Sequence, residues 1–266
     1  MNPVEEVARR IRDADRLAIL TGAGVSAASG VPTFRGQGGL WKQYRAEDLA
    51  TPEAFRRDPV LVWQWYDWRR QQIAACAPNA AHEVIARWSG VRPGVRPRVR
   101  PPDTERLKVS VLTQNVDDLH SRAGTRDLVR LHGSIWELRC AGASGAVCGE
   151  GEMPWRDERV PLPDLPAACP HCGGLARPAV VWFGESLRAA DVDAALRATE
   201  CDVFLTVGTS AVVYPAAGLV QQARRHGAFI VEINPEPTPA SGIVDLALQA
   251  GAEDVLPEID RLLGAS

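Results

Sequence analysis

An α/β fold built on a doubly wound parallel sheet is predicted by three features of this 266-residue chain. Short apolar runs bounded by glycine or polar residues, at 17–20, 109–113, 203–207 and 228–233, suit strands buried on both faces. Stretches of helical periodicity separate the later runs, the order that right-handed crossovers require. Glycines, amides or hydroxyl residues follow the runs directly, at the carboxyl edge where open parallel sheets bind ligands. Composition agrees: 45% hydrophobic and 24% charged residues are enough for a sizeable core. There is no apolar run of about 18 residues that would suggest a membrane span. The opening MNPVEEVARRIRDADR is an amphipathic helix, with Val4, Val7, Ala8 and Ile11 on one face, and lacks the apolar core of a secretory signal. A soluble cytoplasmic protein is expected. Its net charge of −3 provides no bulk attraction to nucleic acid or acidic lipid.

Taken in order, the strand at 17–20 runs into Gly22, Ala23, Gly24 and Ser26, a GxGxxA turn. Small residues there let the backbone approach a pyrophosphate at a helix start. A tight strand-to-helix turn with no ligand has the same spacing. Ser26, Ser29, Gly30 and Pro32 break the following helix early, and Thr33, Phe34 and Arg35 open a glycine-rich loop to Trp41. Such a loop can fold over a ligand. Thr51-Pro52-Glu53 and Asp58-Pro59 start two helices. Trp63, Trp65, Tyr66 and Trp68 suit core packing, but Tyr66 and Arg69 share a helix face, where a phenol and a guanidinium can hold a carboxylate. A further helix covers 79–89. Residues 90–108, rich in Arg and Pro, read as an exposed, extended insertion.

The strand at 109–113 ends in Gln114, Asn115, Val116 and Asp117. Amide and carboxylate side chains there can read a carboxamide, and they also suit a polar turn with an Asx cap. After the strand at 128–131 comes His132, placed to enter a cleft with a pKa suited to general-base work. His120 reads as structural. Cys140, Cys148, Cys169 and Cys172 form a candidate tetrahedral zinc site within 136–178, more in keeping with a reducing compartment than disulfides are. His171 is expected to be exposed, and Cys76 and Cys201 to be core or surface thiols. Residues 178–185 read as a half-buried strand and turn. Gly208, Thr209 and Ser210 follow the strand at 203–207, where hydroxyls can bind ribose or phosphate or cap the next helix. A helix at 216–225, the strand at 228–233 with Asn234-Pro235-Glu236 after it, a strand at 245–249 and a helix at 253–263 complete the chain.

The motifs GAGVSAASGVPTFRG, TQNVDDLH, LHGS, VVWFGE, GTS and INPE, in this order, resemble those of the sirtuins, NAD-dependent protein deacylases, and the resemblance runs from about residue 10 to 262. It implies a large Rossmann-like, NAD-binding domain from 1–135 and 179–266, with a helical module at about 36–89 and the Arg/Pro insertion at about 90–107. A small module with one structural zinc would occupy 136–178. His132 falls on the family's catalytic base, and Asn115, with Asp117, on its nicotinamide pocket. NAD would be held by the residues of the first turn and loop, by 114–117, by 208–210, by 234–236 and by Ala252. Val181, Phe183, Gly184 and Glu185 would line the acyl-lysine tunnel and pair with substrate backbone. The segment DLATPEAF…VWQWYDWRR resembles the class III branch, in which Ala50, Tyr66 and Arg69 accommodate malonyl, succinyl and glutaryl groups, often with deacetylation retained. The implied reaction consumes NAD and acyl-lysine, giving free lysine, nicotinamide and O-acyl-ADP-ribose. Protein mono-ADP-ribosylation, NAD hydrolysis or a non-catalytic NAD-responsive module would use the same site. Two departures stand out: seven residues separate Cys140 from Cys148, a wider gap than the family usually has, and Ala179 replaces a common histidine.

Overall fold

Six parallel strands order themselves β3-β2-β1-β7-β8-β9 in the computed structural model, which describes residues 2–32, 44–90, 107–142, 147–149, 153–210 and 216–264. In chain order, α1 (Pro3–Asp13) leads into β1 (Arg16–Thr21) and a 3-10 turn at Ala23–Ser29. The helices α2 (Ala46–Leu49), α3 (Pro52–Arg57), α4 (Pro59–Ala74) and α5 (Ala80–Ser89) precede β2 (Lys108–Thr113). Then come α6 (Leu119–Arg122), β3 (Leu128–Arg130), β4 (Gly133–Gly142), β5 (Trp155–Arg156) and β6 (Leu175–Val180). The chain closes with α7 (Ala189–Ala198), β7 (Val203–Val207), α8 (Ala216–Arg225), β8 (Phe229–Ile233), β9 (Leu246–Leu248) and α9 (Ala252–Gly264).

Alternation along each strand divides the core. Leu17, Ile19, Val111, Leu205 and Val231 pack against Val7 and Ile11 of α1, Ile85 of α5 and Leu256 of α9. Ala18, Leu20, Leu112, Phe204 and Ile230 pack with Ala195 of α7 and with Leu219 and Ala223 of α8. The sheet is thus covered on both faces, which is why its strands read as nearly continuous apolar runs. Strand order reverses beside β1, so β1 and β7 part their following segments there and open a crevice at their carboxyl ends.

Strands β5, β4 and β6 make a second, antiparallel sheet. Its apolar face joins Leu49, Phe55, Trp63, Trp65 and Tyr66 in a separate core. Helix α4 starts where the sequence indicates, with the Asp58 carboxylate accepting from Leu61 N–H and Pro59 in the first turn. It is also tied to the second sheet by polar bonds. Trp63 Nε1 donates to Ala176 O at 2.8 Å, and Asp67 accepts from Leu162 N–H at 2.8 Å. The fully buried Arg70 donates to Asp157 O at 2.5 Å and Arg159 O at 3.1 Å. Residues 63, 67 and 70 lie one turn apart and share a helix face.

One element differs from the sequence reading. Helix α7 lies in a stretch that carried no prediction; only Ala195 of it is buried, so no apolar stripe announces it. The 178–185 segment is the strand and turn that its sequence suggests, strand to Val180 and a turn at Phe183 and Gly184. The loop residues Thr33, Phe34, Arg35 and Trp41, and most of the Arg/Pro insertion, lie outside the described residues. No helix among the described residues is long and apolar enough to cross a membrane.

Candidate active site

The crevice at the carboxyl ends of β1, β2 and β7 opens into a cavity of about 420 Å³. Gly22, Ala23, Gln114, Asn115, Val116, His132 and Thr209 line one part of it, and Ala50, Tyr66, Arg69, Val181, Trp182, Phe183, Gly184 and Glu185 another. Residues from widely separated motifs therefore meet in one space.

The turn after β1 is held against the turn after β7. Gly22 N–H donates to Val207 O at 3.0 Å and Gly24 N–H to Gly208 O at 2.7 Å. A Cβ on Gly24 would lie 2.7 Å from Gly208 Cα, and Gly208 itself has φ +59°. The glycines here are needed for protein to meet protein, whatever they also offer a pyrophosphate. Gln114 Nε2 donates to Thr209 Oγ1 at 2.9 Å, joining the ends of β2 and β7. Ser210, next in line, keeps its Oγ buried with no hydrogen-bond partner among the described residues.

His132 follows β3. Its Nδ1 lies 2.9 Å from Gln114 O, and a carbonyl can only accept, so Nδ1 carries the hydrogen and Nε2 keeps its lone pair. Burial pushes the imidazole pKa below its ordinary value, against the opposing pull of the Gln114 bond. At neutral pH the ring is therefore a neutral base with its free nitrogen fixed.

Beneath it lies a polar network. Asn115 Nδ2 donates to Gly22 O at 3.0 Å and Ser26 Oγ at 3.1 Å, and Ser26 donates to Asp117 Oδ2 at 2.8 Å. Asp117 also accepts from Leu119 N–H at 2.9 Å, and Trp136 Nε1 donates to its carbonyl. Burial holds this carboxyl above the usual range, although both hydrogen bonds pull it down. His120 is buried with Nε2 2.9 Å from Thr21 Oγ1 and its pKa pushed by burial down to about 3. His82, which sequence reading passed over as one position of an apolar helix, packs against His120 with ring centres 4.8 Å apart and lies 3.4 Å from Ser26 Oγ. Burial lowers it to about 4.

On the opposite wall, α4 presents Tyr66, fully buried, and Arg69, whose guanidinium carbon lies 4.9 Å from the Trp65 ring and 5.6 Å from that of Tyr66. Ala50 O accepts from Phe183 N–H at 2.9 Å, which brings the small residue under the turn. Val181 N–H donates to His132 O at 3.0 Å, so this turn and the base share a backbone bond. Glu185, read from sequence as a substrate residue, is committed within the protein. Its carboxylate accepts from Arg177 at 2.5 and 2.8 Å and from Trp182 N–H at 2.9 Å. Burial raises its pKa, yet the Arg177 bonds outweigh this and hold it low.

Not every sequence candidate reaches the cavity. Asn234 follows β8 and its Nδ2 donates to Glu236 O, Pro235 and Glu236 are exposed, and Ala252 is packed in the aliphatic core at the start of α9. Pro32 is half-buried beyond the 3-10 turn.

The four cysteines Cys140, Cys148, Cys169 and Cys172 converge, with all sulfurs within 4.8 Å of one another. The Cys140–Cys172 and Cys148–Cys169 pairs are 3.7 and 3.8 Å apart. A tetrahedron with Zn–S bonds near 2.3 Å has sulfur edges of about 3.8 Å, so the set fits a closed structural zinc site. The wide spacing after Cys140 does not keep Cys148 out. Its backbone N–H is the main reason that the Cys140 thiol falls to about 7, the form in which sulfur binds metal. His171 is exposed against the Trp155 ring, and Cys76 and Cys201 are buried.

Residues 22–215 match the Sir2 family model. The "NAD-dependent protein deacylase" of Aquifex aeolicus (strain VF5) is 45% identical over 247 residues, covering 91% of this chain and 93% of that protein. Among solved structures, a Sir2 homolog–NAD complex superposes with a TM-score of 0.85 at 40% identity, covering 98% of this chain and 94% of that one. Sir2Af2 bound to a myristoylated histone peptide gives 0.73 at 28% identity, covering 99% and 97%.

Proposed function

Because the chain belongs to the Sir2 family and is an NAD-dependent protein deacylase, we propose that its cavity favours lysines carrying malonyl, succinyl or glutaryl groups while still accepting acetyl-lysine. One observation supports this reading above others. Tyr66 and Arg69 line the same cavity as His132, and Arg69 is the one cation among its described lining residues. A guanidinium and a phenol, shielded from water, suit the carboxylate at the end of a dicarboxylic acyl chain, and a charge-assisted hydrogen bond contributes about 1.5–3 kcal/mol. Ala50 leaves room beside them.

Bound NAD would supply the ADP-ribosyl group that receives the acyl chain, with release of nicotinamide. Asn115 and Asp117, held by Ser26, would face the carboxamide. Gly22, Ala23, Gly24, Thr209 and Ser210 would carry the ribose and phosphate portions. His132 Nε2 would accept a proton from a ribose hydroxyl, a role for which its fixed tautomer and lowered pKa suit it. Val181, Phe183 and Gly184, with their backbone along the cavity, would take the peptide as an added strand.

Incubating acetyl-, malonyl- and succinyl-lysine peptides with NAD and weighing the products tests the reaction. O-acyl-ADP-ribose is expected, whereas modified protein or free ADP-ribose alone would point to ADP-ribosyl transfer or NAD hydrolysis. Arg69→Met should lower the ratio of succinyl to acetyl kcat/KM about tenfold. An unchanged ratio would rule out the carboxylate clamp.

A further inference from the structure

The geometry points to Trp182 as a positioning residue that aims the Tyr66 hydroxyl proton and so helps to set the preference for carboxylated acyl groups. This rests on the reading of Tyr66 and Arg69 given above. Trp182 Nε1 lies 2.8 Å from Tyr66 Oη, across 116 residues of sequence. An indole N–H only donates, whereas a phenol donates once and accepts, so this bond runs one way, from tryptophan to tyrosine. Having accepted it, the phenol must send its own hydrogen elsewhere. Tyr66 is fully buried and Trp182 is 2% exposed, so bulk water does not compete for that hydrogen. Both side chains line the cavity that also holds Arg69. Burial raises the Tyr66 pKa despite the nearby Arg69, so the proton stays on the oxygen at neutral pH.

The indole is itself packed by two side chains, and the backbone that carries it is tied down. The Arg177 guanidinium carbon sits 3.3 Å from the ring centroid, and the Phe55 ring packs at 5.3 Å. The Trp182 backbone N–H donates to Glu185 Oε2 at 2.9 Å, on the carboxylate that also receives Arg177. The committed Glu185 thus has a purpose: it holds the Trp182 backbone and the Arg177 guanidinium that covers the ring, the indole orients the phenol, and the phenol would donate to the acyl carboxylate. An acetyl methyl has no acceptor to exploit that order. A succinyl carboxylate meets both a charge and a hydrogen already turned toward it.

Trp182→Phe keeps an aromatic ring and removes the donor. The ratio of succinyl to acetyl kcat/KM should fall about fivefold, the value of one neutral hydrogen bond, with the change in the succinyl KM. In a Tyr66→Phe background the same substitution should cause no further fall. Benzothienylalanine at position 182, which preserves ring shape without an N–H, should reproduce the effect if Trp182→Phe loosens the fold. An unchanged ratio in both position-182 variants, with Tyr66→Phe still shifting it, would overturn this inference alone. An undiminished further fall in the Tyr66→Phe background would also overturn it, because the loss would then run through packing. If neither Tyr66→Phe nor Arg69→Met moves the ratio, the charged-acyl reading falls and takes this inference with it.

Discussion

The six-stranded sheet buries aliphatic side chains on both faces, against α1, α5 and α9 on one side and α7 and α8 on the other. The three-stranded sheet has one apolar face, a cluster of four thiols, and a row of polar bonds to α4. The proposed chemistry and the proposed acyl discrimination divide along the same line. His132, Asn115 and the glycine turns sit at strand ends of the larger sheet, where a large core fixes them. Tyr66 and Arg69 ride on a helix whose adjoining face is anchored to the smaller one. The proposed catalytic geometry should therefore tolerate mild disturbance of the small sheet, short of its unfolding, better than the proposed acyl selection does.

Removing the metal should break the comparison most sharply. A structural zinc site contributes on the order of 10 kcal/mol to its module, so chelation or Cys169→Ser should unfold the small sheet and abolish deacylation. Far-UV circular dichroism of the α/β core and measurable NAD binding should persist, with metal content followed in parallel. Deacylation that survives complete metal loss would refute the dependence. His132→Ala should act in the opposite sense, lowering kcat by about 10²–10⁴-fold while shifting Tm by no more than about 2 °C.

Smaller effects should separate the two cores. Leu205→Ala, fully buried in β7, should cost about 2–5 kcal/mol of global stability by denaturant titration. Arg70→Met removes a buried cation from Asp157, which retains Arg159 as a partner, and should cost about 2–3 kcal/mol. It should also lower the succinyl-to-acetyl ratio, because α4 loses a fixed point. Equal losses on both acyl groups would argue against the anchoring role.

The mildest test is pH. His82 and His120 are neutral in the fold, with pKa values near 4 and 3 against 6.5 when unfolded. The unfolded chain then binds more protons as pH falls below about 6.5, so stability present above that value is lost progressively toward pH 4. Each group accounts for up to about 1.4 kcal/mol per pH unit in that window. Tm measured from pH 7 to 5 should decline, and His120→Leu should flatten the decline.

Most of the larger sheet was legible because burial on both faces writes itself as unbroken apolar runs, and β1, β2 and β7 fall where those runs do. Two caps were equally local: Thr51 and Asp58 each bond to the helix they precede. The four sulfurs meet although their spacing is irregular, since a loop can absorb the extra residues. What stayed hidden depended on distant partners. Arg70 meets Asp157 across 87 residues and Trp182 meets Tyr66 across 116, and no local pattern carries such pairings. His82 looked like one more helix position until the fold set it beside Ser26. Helix α7 lacked the apolar face that marks its neighbours.

The acceptor that holds the His132 ring is a main-chain carbonyl, that of Gln114, while the Gln114 side chain reaches Thr209. Mutation can delete a side chain but not a carbonyl. Replacing Gln114 would therefore loosen the grip between β2 and β7 while leaving the imidazole hydrogen on the same nitrogen. The protonation pattern of the base is written into the backbone, beyond the reach of substitution at the residue that supplies it.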